Sequence, residues 1–577
     1  MAPRDFPEID PEARLADLLE RAARHFPSRG VAVFDGRGRR RERRTYPEVL
    51  AAARRASGRW SALGVRPGDR VLIGLPTSWS WLDAWLGAVL LGALPVAVAP
   101  GAAMGAARAQ LEKVDGLVER LGVRFALVGD AFRGEAEAAG LRRASEAALG
   151  VGELEGTTPD PLKGASEQRT RSASEDVAFL QLTSGSTGVP RAVMISHRAA
   201  LHNAWANDRA IGVPHGAPTH RWADSMVSWL PLHHDMGLVG CLFLSIYAGL
   251  DLWLFQGTTF LARPRLWLEH LGLHGTAFAP APNFGYQLCL ERLTEKDREG
   301  LDLSSWHDAM TGAEMIRPET VAGFCETFAP YGFRPEAFRP CFGLAEGTLA
   351  VTFDGKGRGM RTLPMPESAG EGQALGEVVC VGEAIDDTVV RVCGPDGRPL
   401  PDGEIGEVRV QGPGVFLGYW NDPGATAEGL QDGWLCTGDL GFLHRGELYL
   451  TGRLKDILIL RGHNLMPHEI EWQAEAVTGG GGGLRSGAFS VARGTAGEEA
   501  VLVVETTAKG PGVLASMAGD IRNRVGRTLS ILLSDIVFVR RGRIPKTTSG
   551  KVQRRQLRDQ YLSGSLDALA RFEPPST

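Results

Sequence analysis

The chain has 577 residues, 43% of them hydrophobic and 23% charged, which is too apolar for disorder and suits a folded protein of roughly three or four structural units. Its net charge of −5 gives no bulk attraction to nucleic acid or to an anionic membrane, so neither is an expected partner. The cysteines at 241, 289, 325, 341, 380, 393 and 436 form no CxxC pair, which argues against a zinc site or a disulfide framework and suits reduced thiols in the cytoplasm.

Residues 1–26 carry acids early and no apolar core, so a signal peptide is not expected. A helix over 15–25 is followed by short buried strands at 31–34, 71–75, 96–99 and 125–128, an alternation that predicts α/β layering with partly parallel strands. The run 37–44 holds six arginines between strand-like flanks and reads as a solvated hairpin tip. Two apolar stretches, 81–100 and 236–255, are interrupted by Asp83, Gly92 and Pro95 and by Gly249 and Asp251. Both read as buried helix, turn and strand, and no membrane span is expected. Residues 150–175 form a polar connection before a second α/β stretch from Val177 to about 350. Over 376–452 turns separate β segments such as 389–392, 406–411 and 448–451, predicting a small barrel or distorted sheet. From 457 to 577 the pattern is compact α+β, with the glycine run 479–483 as its most flexible point.

The sequence DVAFLQL at 176–182 predicts a strand, followed at once by Thr183, Ser184, Gly185, Ser186, Thr187 and Gly188, and then by a second strand over 192–195. Such a loop can turn backbone N–H groups inward and add hydroxyl donors, making a nest for phosphate oxygens. It lacks the GxxxxGK[ST] spacing and a directly following helix, so it is not a Walker A loop. Taken alone, six residues suit a Ser/Gly hairpin equally well. No GxGxxG stands between a strand and a helix, so a nicotinamide enzyme is unsupported.

The string LTSGSTGVPRAVMISH resembles the phosphate-binding signature of adenylate-forming enzymes, which include acyl-CoA synthetases, nonribosomal adenylation domains and luciferases. Downstream, FGLAE at 342–346, TGDL at 437–440, GRLKD at 452–456 and PKTTSGK at 545–551 resemble the later core motifs of that superfamily, in order. Longer strings, WLPLHHDMGLVG at 229–240, DLSSWHDAMTGAEMI at 302–316 and GELYLTGRLKDILILRGHNLMPHEIE at 446–471, are similar to the fatty acyl-AMP ligases. The resemblance spans essentially the whole chain. It implies a large N-terminal α/β domain, 1–454, made of two sheet–helix halves plus a β-rich subdomain at about 376–452. A small mobile α+β lid, 455–577, would follow, with its hinge at Lys455. The family's inserted segment, which disfavours coenzyme A, would fall in 354–375.

The resemblance also implies roles. Thr183 to Gly188 would hold the departing phosphates, with Arg191 where the family usually has lysine and Ala192 where it usually has glycine. Gly312, Ala313 and Glu314 would line the adenine pocket. Phe342 would stack on the base in place of the commoner tyrosine, with Gly343, Leu344 and Ala345 beside the nucleotide. Glu346 would hold Mg²⁺, a hard cation that suits a carboxylate with phosphate oxygens. Asp439 would accept from the ribose hydroxyls, Arg453 would contact ribose or phosphate, and His234, a catalytic candidate, would lie near the substrate carboxylate. Lys551 is the foremost catalytic candidate. Only eight of the 63 basic residues are lysine, and a compact ammonium on a long stem does different work from a guanidinium.

The implied reaction is activation of a fatty acid by ATP to acyl-AMP, with release of pyrophosphate. Transfer to the phosphopantetheine thiol of an acyl carrier protein, free or in a polyketide or peptide synthase, would follow. A long-chain acyl-CoA synthetase differs only in its acceptor. A non-catalytic lipid or adenylate-binding module is a third reading, against which the intact Glu346, Asp439 and Lys551 speak. A cytoplasmic monomer is expected.

Overall fold

A computed structural model describes residues 13–573 except 39, 101–106, 161–173, 184–189, 213–224, 367–376, 461–462, 479–484, 493–497, 530 and 547–550. The glycine run and most of the Thr183–Gly188 loop therefore lie outside the described residues.

Two α/β sheets make up the N-terminal part. One runs Ala148–Gly150, Val123–Val128, Arg70–Ile73, Leu94–Ala97, Val177–Thr183, Arg191–Ser196, parallel except for its last pair. The other runs Arg40–Thr45, Gly30–Phe34, Asp251–Leu254, Ser225–Ser228, parallel except for its first pair. Between them, the helices Tyr46–Ala62 and Trp79–Leu91 press together around Trp60, Trp81 and Trp85, all fully buried. Gly87 permits that approach, because a Cβ there would meet Ala56 Cβ at 2.7 Å and Ser57 N at 2.8 Å.

Both apolar stretches fold as helix, left-handed glycine and strand, with Gly92 and Gly249 at the reversals. Among the described residues no helix is long and apolar enough to cross a membrane. The arginine run does form a hairpin strand, but it is not simply solvated as its charge suggested. Arg43 donates to Asp251 at 2.6 Å and Arg44 makes a forked contact with Asp83 at 2.9 and 3.0 Å. The two acids that interrupt the apolar stretches are thus the partners that anchor the arginines.

The β-rich region is not a separate barrel. It continues one ten-stranded sheet whose main path runs Ala309–Thr311, Phe338–Gly343, Ala350–Phe353, Glu377–Ala384, Glu447–Arg453, Trp434–His444, Gly406–Gln411, Val389–Cys393. Cross-strand pairing with Phe338–Gly343 and Ala350–Phe353 joins it to the preceding α/β region, a long-range contact that local turn signals do not encode.

The C-terminal part is a four-stranded sheet, Ser486–Ala492, Glu498–Thr506, Leu533–Arg540, Ala568–Phe572, covered by the helices Pro467–Thr478 and Pro511–Leu529 on one side and Arg554–Leu562 on the other. It has its own core around Ile470, Leu502, Ile521 and Phe538, while the main core of the large part reaches only as far as Leu448 and Leu450. The two parts touch through Arg317, which donates to the buried Glu475 at 2.5 Å and lies over the Trp472 ring at 4.9 Å. The molecule therefore has the expected class, a large mixed α/β body followed by a smaller α+β domain.

Candidate active site

A cavity of about 460 Å³ opens where the six-stranded sheet, the ten-stranded sheet and the C-terminal domain meet. A cleft of about 920 Å³ adjoins it, sharing Phe342, Arg453 and Lys551 as walls and adding Glu314 and Asp439. Thr183 and Arg191 are register partners in an antiparallel pair, and both line the cavity. The Ser184–Gly188 stretch between them, expected to hold phosphate, lies outside the described residues.

The strand Phe338–Gly343 carries Phe342, buried, to the cavity wall. Its pairing shifts register between Phe342 and Gly343, and a Cβ on Gly343 would fall 1.9 Å from the Leu349 carbonyl oxygen, so only glycine fits. Leu344 and Ala345 follow in the wall, and the 3₁₀ turn Ala345–Gly347 presents Glu346. Tyr419 Oη donates to Glu346 Oε1 at 2.8 Å, and the Arg191 guanidinium lies over the Tyr419 ring at 5.1 Å. Burial pushes the Glu346 carboxyl up, and the Tyr419 hydrogen bond only partly offsets this.

Asp439 and Arg453 face each other on paired strands. Arg453 Nε donates to Asp439 Oδ1 at 2.8 Å, while Asp439 Oδ2 is buried without a hydrogen-bonding partner. Gly312 and Ala313 close the strand Ala309–Thr311 at the cavity, and Ala313 takes a positive φ of 69°. Glu314 turns its carboxylate to the backbone, accepting from Phe284 N at 2.6 Å and so holding the start of the helix Asn283–Arg292.

His234 stands before a short helical turn, Asp235–Gly237, that runs into a π-helical stretch, Leu238–Phe243, a distortion frequent at functional sites. Asp235, which sequence reasoning passed over, lines the cavity beside it. Burial works to raise the Asp235 carboxyl, yet the hydrogen bond and charge of His234 and the Met236 N–H hold it below the usual carboxylate range. The neighbouring His233 is pushed down to about 3, chiefly by burial, and stays neutral.

Lys551 reaches both cavity and cleft from the C-terminal domain. Burial lowers its ammonium, as does the Arg453 charge, against the opposing pull of Asp439, Asp235 and Glu314. Lys455 sits in the 3₁₀ turn Leu454–Asp456 at the cavity rim, and Asp456 accepts from Arg554 Nη1 at 2.9 Å. The same cavity is also walled by the apolar side chains of Ile211, Leu244, Met310, Leu349 and Phe353. Neither these residues nor Tyr419 carried a local signal in the sequence.

Among the described residues one cluster, Asp354, Cys380 and Glu447, has side-chain spacing suited to a metal ion. Arg361 already fills it, its Nη2 donating to Asp354 Oδ1 at 2.5 Å, Glu447 Oε1 at 2.7 Å and Cys380 Sγ at 3.2 Å. A guanidinium there excludes a cation.

Residues 19–420 match the family model described as AMP-binding enzyme. The chain belongs to that family. Its relatives include a Mycobacterium marinum protein named long-chain-fatty-acid–AMP ligase FadD26, 32% identical over 91% of this chain and 92% of that one. The Moorena producens medium-chain-fatty-acid–[acyl-carrier-protein] ligase JamA is 35% identical over 68% of this chain and 69% of its own. A Caulobacter vibrioides protein assigned as an acyl-CoA synthetase is 31% identical over 93% of each. Among solved structures, a fatty acyl-adenylate ligase from a study of the E. coli and L. pneumophila enzymes superimposes with a TM-score of 0.85, at 29% identity, covering 96% of this chain and 98% of that one. This AMP-binding enzyme thus shares both sequence and fold with ligases that adenylate fatty acids.

Proposed function

We propose that the protein converts a fatty acid and ATP to acyl-AMP and pyrophosphate, and then passes the acyl group to the phosphopantetheine thiol of a carrier protein. The observation that carries this reading is the single cavity, polar around Glu346, Arg453 and Lys551 and apolar around Leu244, Met310, Leu349 and Phe353. Its lining offers charged groups for a nucleotide and apolar ones for a hydrocarbon chain.

Attack of a carboxylate on the α-phosphorus brings negative charge against negative charge, so alignment and charge neutralisation lower the barrier. Lys551 and Arg453 supply the positive charge at the point of attack. The unpartnered Asp439 oxygen accepts from ribose, and Phe342 offers its face to the base. The thiol arm then displaces AMP from the acyl carbonyl. Glu346 fits a Mg²⁺ ion: it is a half-buried carboxylate in the cavity wall, oriented by one tyrosine hydroxyl, whose second oxygen a hard cation suits. Mg²⁺ would add charge neutralisation on the phosphate oxygens.

For the acceptor, the relative named as an acyl-carrier-protein ligase supports a carrier, and the acyl-CoA synthetase relative supports coenzyme A. The carrier reading is preferred because Arg361 and Arg358 lock the start of the 354–375 segment onto Glu447, beside strands that also carry Asp439 and Arg453. Residues 367–376 of that segment lie outside the described residues. Arg554 is committed to Glu471 and Asp456, so an acidic carrier would meet the exposed Arg555 and Arg558 instead. The change of core between Leu450 and Leu458 supports a boundary at 454/455 with Lys455 as hinge.

The test is mass spectrometry of products from fatty acids with ATP and Mg²⁺, offering coenzyme A and a phosphopantetheinylated carrier separately. Acyl-AMP that accumulates and is drawn off only by the carrier supports the reading. Robust acyl-CoA formation moves the protein to the acyl-CoA synthetases.

A further inference from the structure

The cavity's apolar lining is interrupted by one feature that an unsubstituted hydrocarbon does not use. Asn207 and Ile211 stand four residues apart on the helix His197–Ile211, share its face, and both line the cavity. Asn207 is 1% exposed. Its Nδ2 donates to Asn203 Oδ1 at 3.0 Å.

The orientation of that amide pair follows from its backbone partners. Asn203 Oδ1 also accepts from Ala350 N at 3.2 Å, while Asn203 Nδ2 donates to the carbonyls of Ala350 and Gly347 at 3.0 and 3.3 Å. A backbone N–H cannot accept and a carbonyl cannot donate, so Asn203 has one orientation and Asn207 must turn its NH₂ toward it. Asn207 Oδ1 is then left buried without a hydrogen-bonding partner. A buried acceptor with no donor is costly, and leucine would fill the same wall without that cost.

We propose that the acyl substrate carries a hydroxyl group on its chain, which donates to Asn207 Oδ1. A hydroxyl fits better than an amine, because an ammonium would bring an unpaired charge among Ile211, Leu244, Met310 and Phe353. This inference rests on the fatty acid reading of the cavity and narrows it to hydroxylated acids.

The experiment follows ATP-dependent pyrophosphate release by the full-length protein with one saturated acid, its positional monohydroxy isomers and the matching keto acids. One hydroxy isomer should exceed the parent acid in kcat/KM by about tenfold. Its keto counterpart, which has only an acceptor to offer, should fall below the parent. In Asn207→Leu the ratio of hydroxy to parent acid should fall to about one. Hydroxy isomers that never exceed the parent, or a preference that survives in Asn207→Leu, would overturn the inference. Should that variant not fold, the keto comparison on the wild type decides, and a keto acid used as well as the hydroxy acid overturns it. An active parent acid without hydroxyl preference sinks only this inference, whereas no pyrophosphate release with any acid removes the fatty acid reading beneath it.

Discussion

Asp439 Oδ1 accepts from Arg453 Nε at 2.8 Å across two paired strands, while Asp439 Oδ2 stays buried with no bonding partner. One oxygen is thereby aimed by Arg453, and in the proposed reading the other accepts from the ribose. Asp439→Ala should weaken AMP and ATP binding by about 10- to 100-fold in isothermal titration. Stability should change little, since Arg453 is half exposed and can return to water. Unaltered nucleotide affinity would remove the ribose role.

Lys551 brings its charge to the cavity from the C-terminal domain. Lys551→Ala should slow pyrophosphate release by about 100- to 1,000-fold, the scale of losing one donor aimed at a transition state. Acyl transfer from supplied acyl-AMP should suffer much less, because phosphoryl chemistry is then already complete. Single-turnover assays of the two half-reactions check this, and equal losses in both would contradict it.

Tyr419 touches the proposed metal ligand through its hydroxyl, while its ring lies under the Arg191 guanidinium. Tyr419→Phe removes the donor to Glu346 Oε1, so the Mg²⁺ concentration for half-maximal rate should rise by about tenfold. KM for the fatty acid should stay close to its wild-type value. Glu346→Gln should raise the Mg²⁺ requirement further, and a requirement unchanged in both would dismiss the metal assignment.

Glu469 gives a pH signature of the C-terminal domain. Burial pushes its carboxyl from 4.5 up to about 7, partly opposed by the hydrogen bond it accepts from Met466 N. The folded state therefore holds this proton more tightly than the unfolded one. Its contribution is fully present below pH 4.5 and is lost as pH rises through about 7. Glu469→Gln keeps an acceptor for Met466 N and cannot ionise. Its urea midpoint relative to wild type should climb between pH 4.5 and 7 and then level off. A pH-independent difference would show that Glu469 ionises normally.

Arg361 holds the start of the 354–375 segment by neutralising the buried Asp354 and the nearby Glu447. Arg361→Ala strands the buried Asp354, leaves Glu447 with Arg358, and should cost about 2–4 kcal/mol, somewhat below a fully enclosed pair because the arginine is 32% exposed. If the segment limits coenzyme A, the surviving folded enzyme should also make more acyl-CoA relative to acyl carrier. Lower stability with an unchanged acceptor ratio would separate the anchor from acceptor choice.

Much of the local structure was legible because its causes are local. Apolar periodicity marked the helix Leu15–His25, and the reversals at Gly92 and Gly249 followed from the need for a positive φ. Ordered motifs nominated Thr183, Arg191, Phe342, Glu346, Asp439, Arg453 and Lys551, and the folded chain brings them to one cavity and its adjoining cleft. Tertiary structure alone decided which charges meet. Arg43 finds Asp251 across 208 positions and Tyr419 finds Glu346 across 73, separations at which no pattern along the chain carries information. The same holds for Asn207, which in sequence is an unremarked polar residue in a helix. Its significance arises only because Asn203 is already committed to Ala350, 147 positions away, and leaves one carbonyl oxygen buried with nothing to bond.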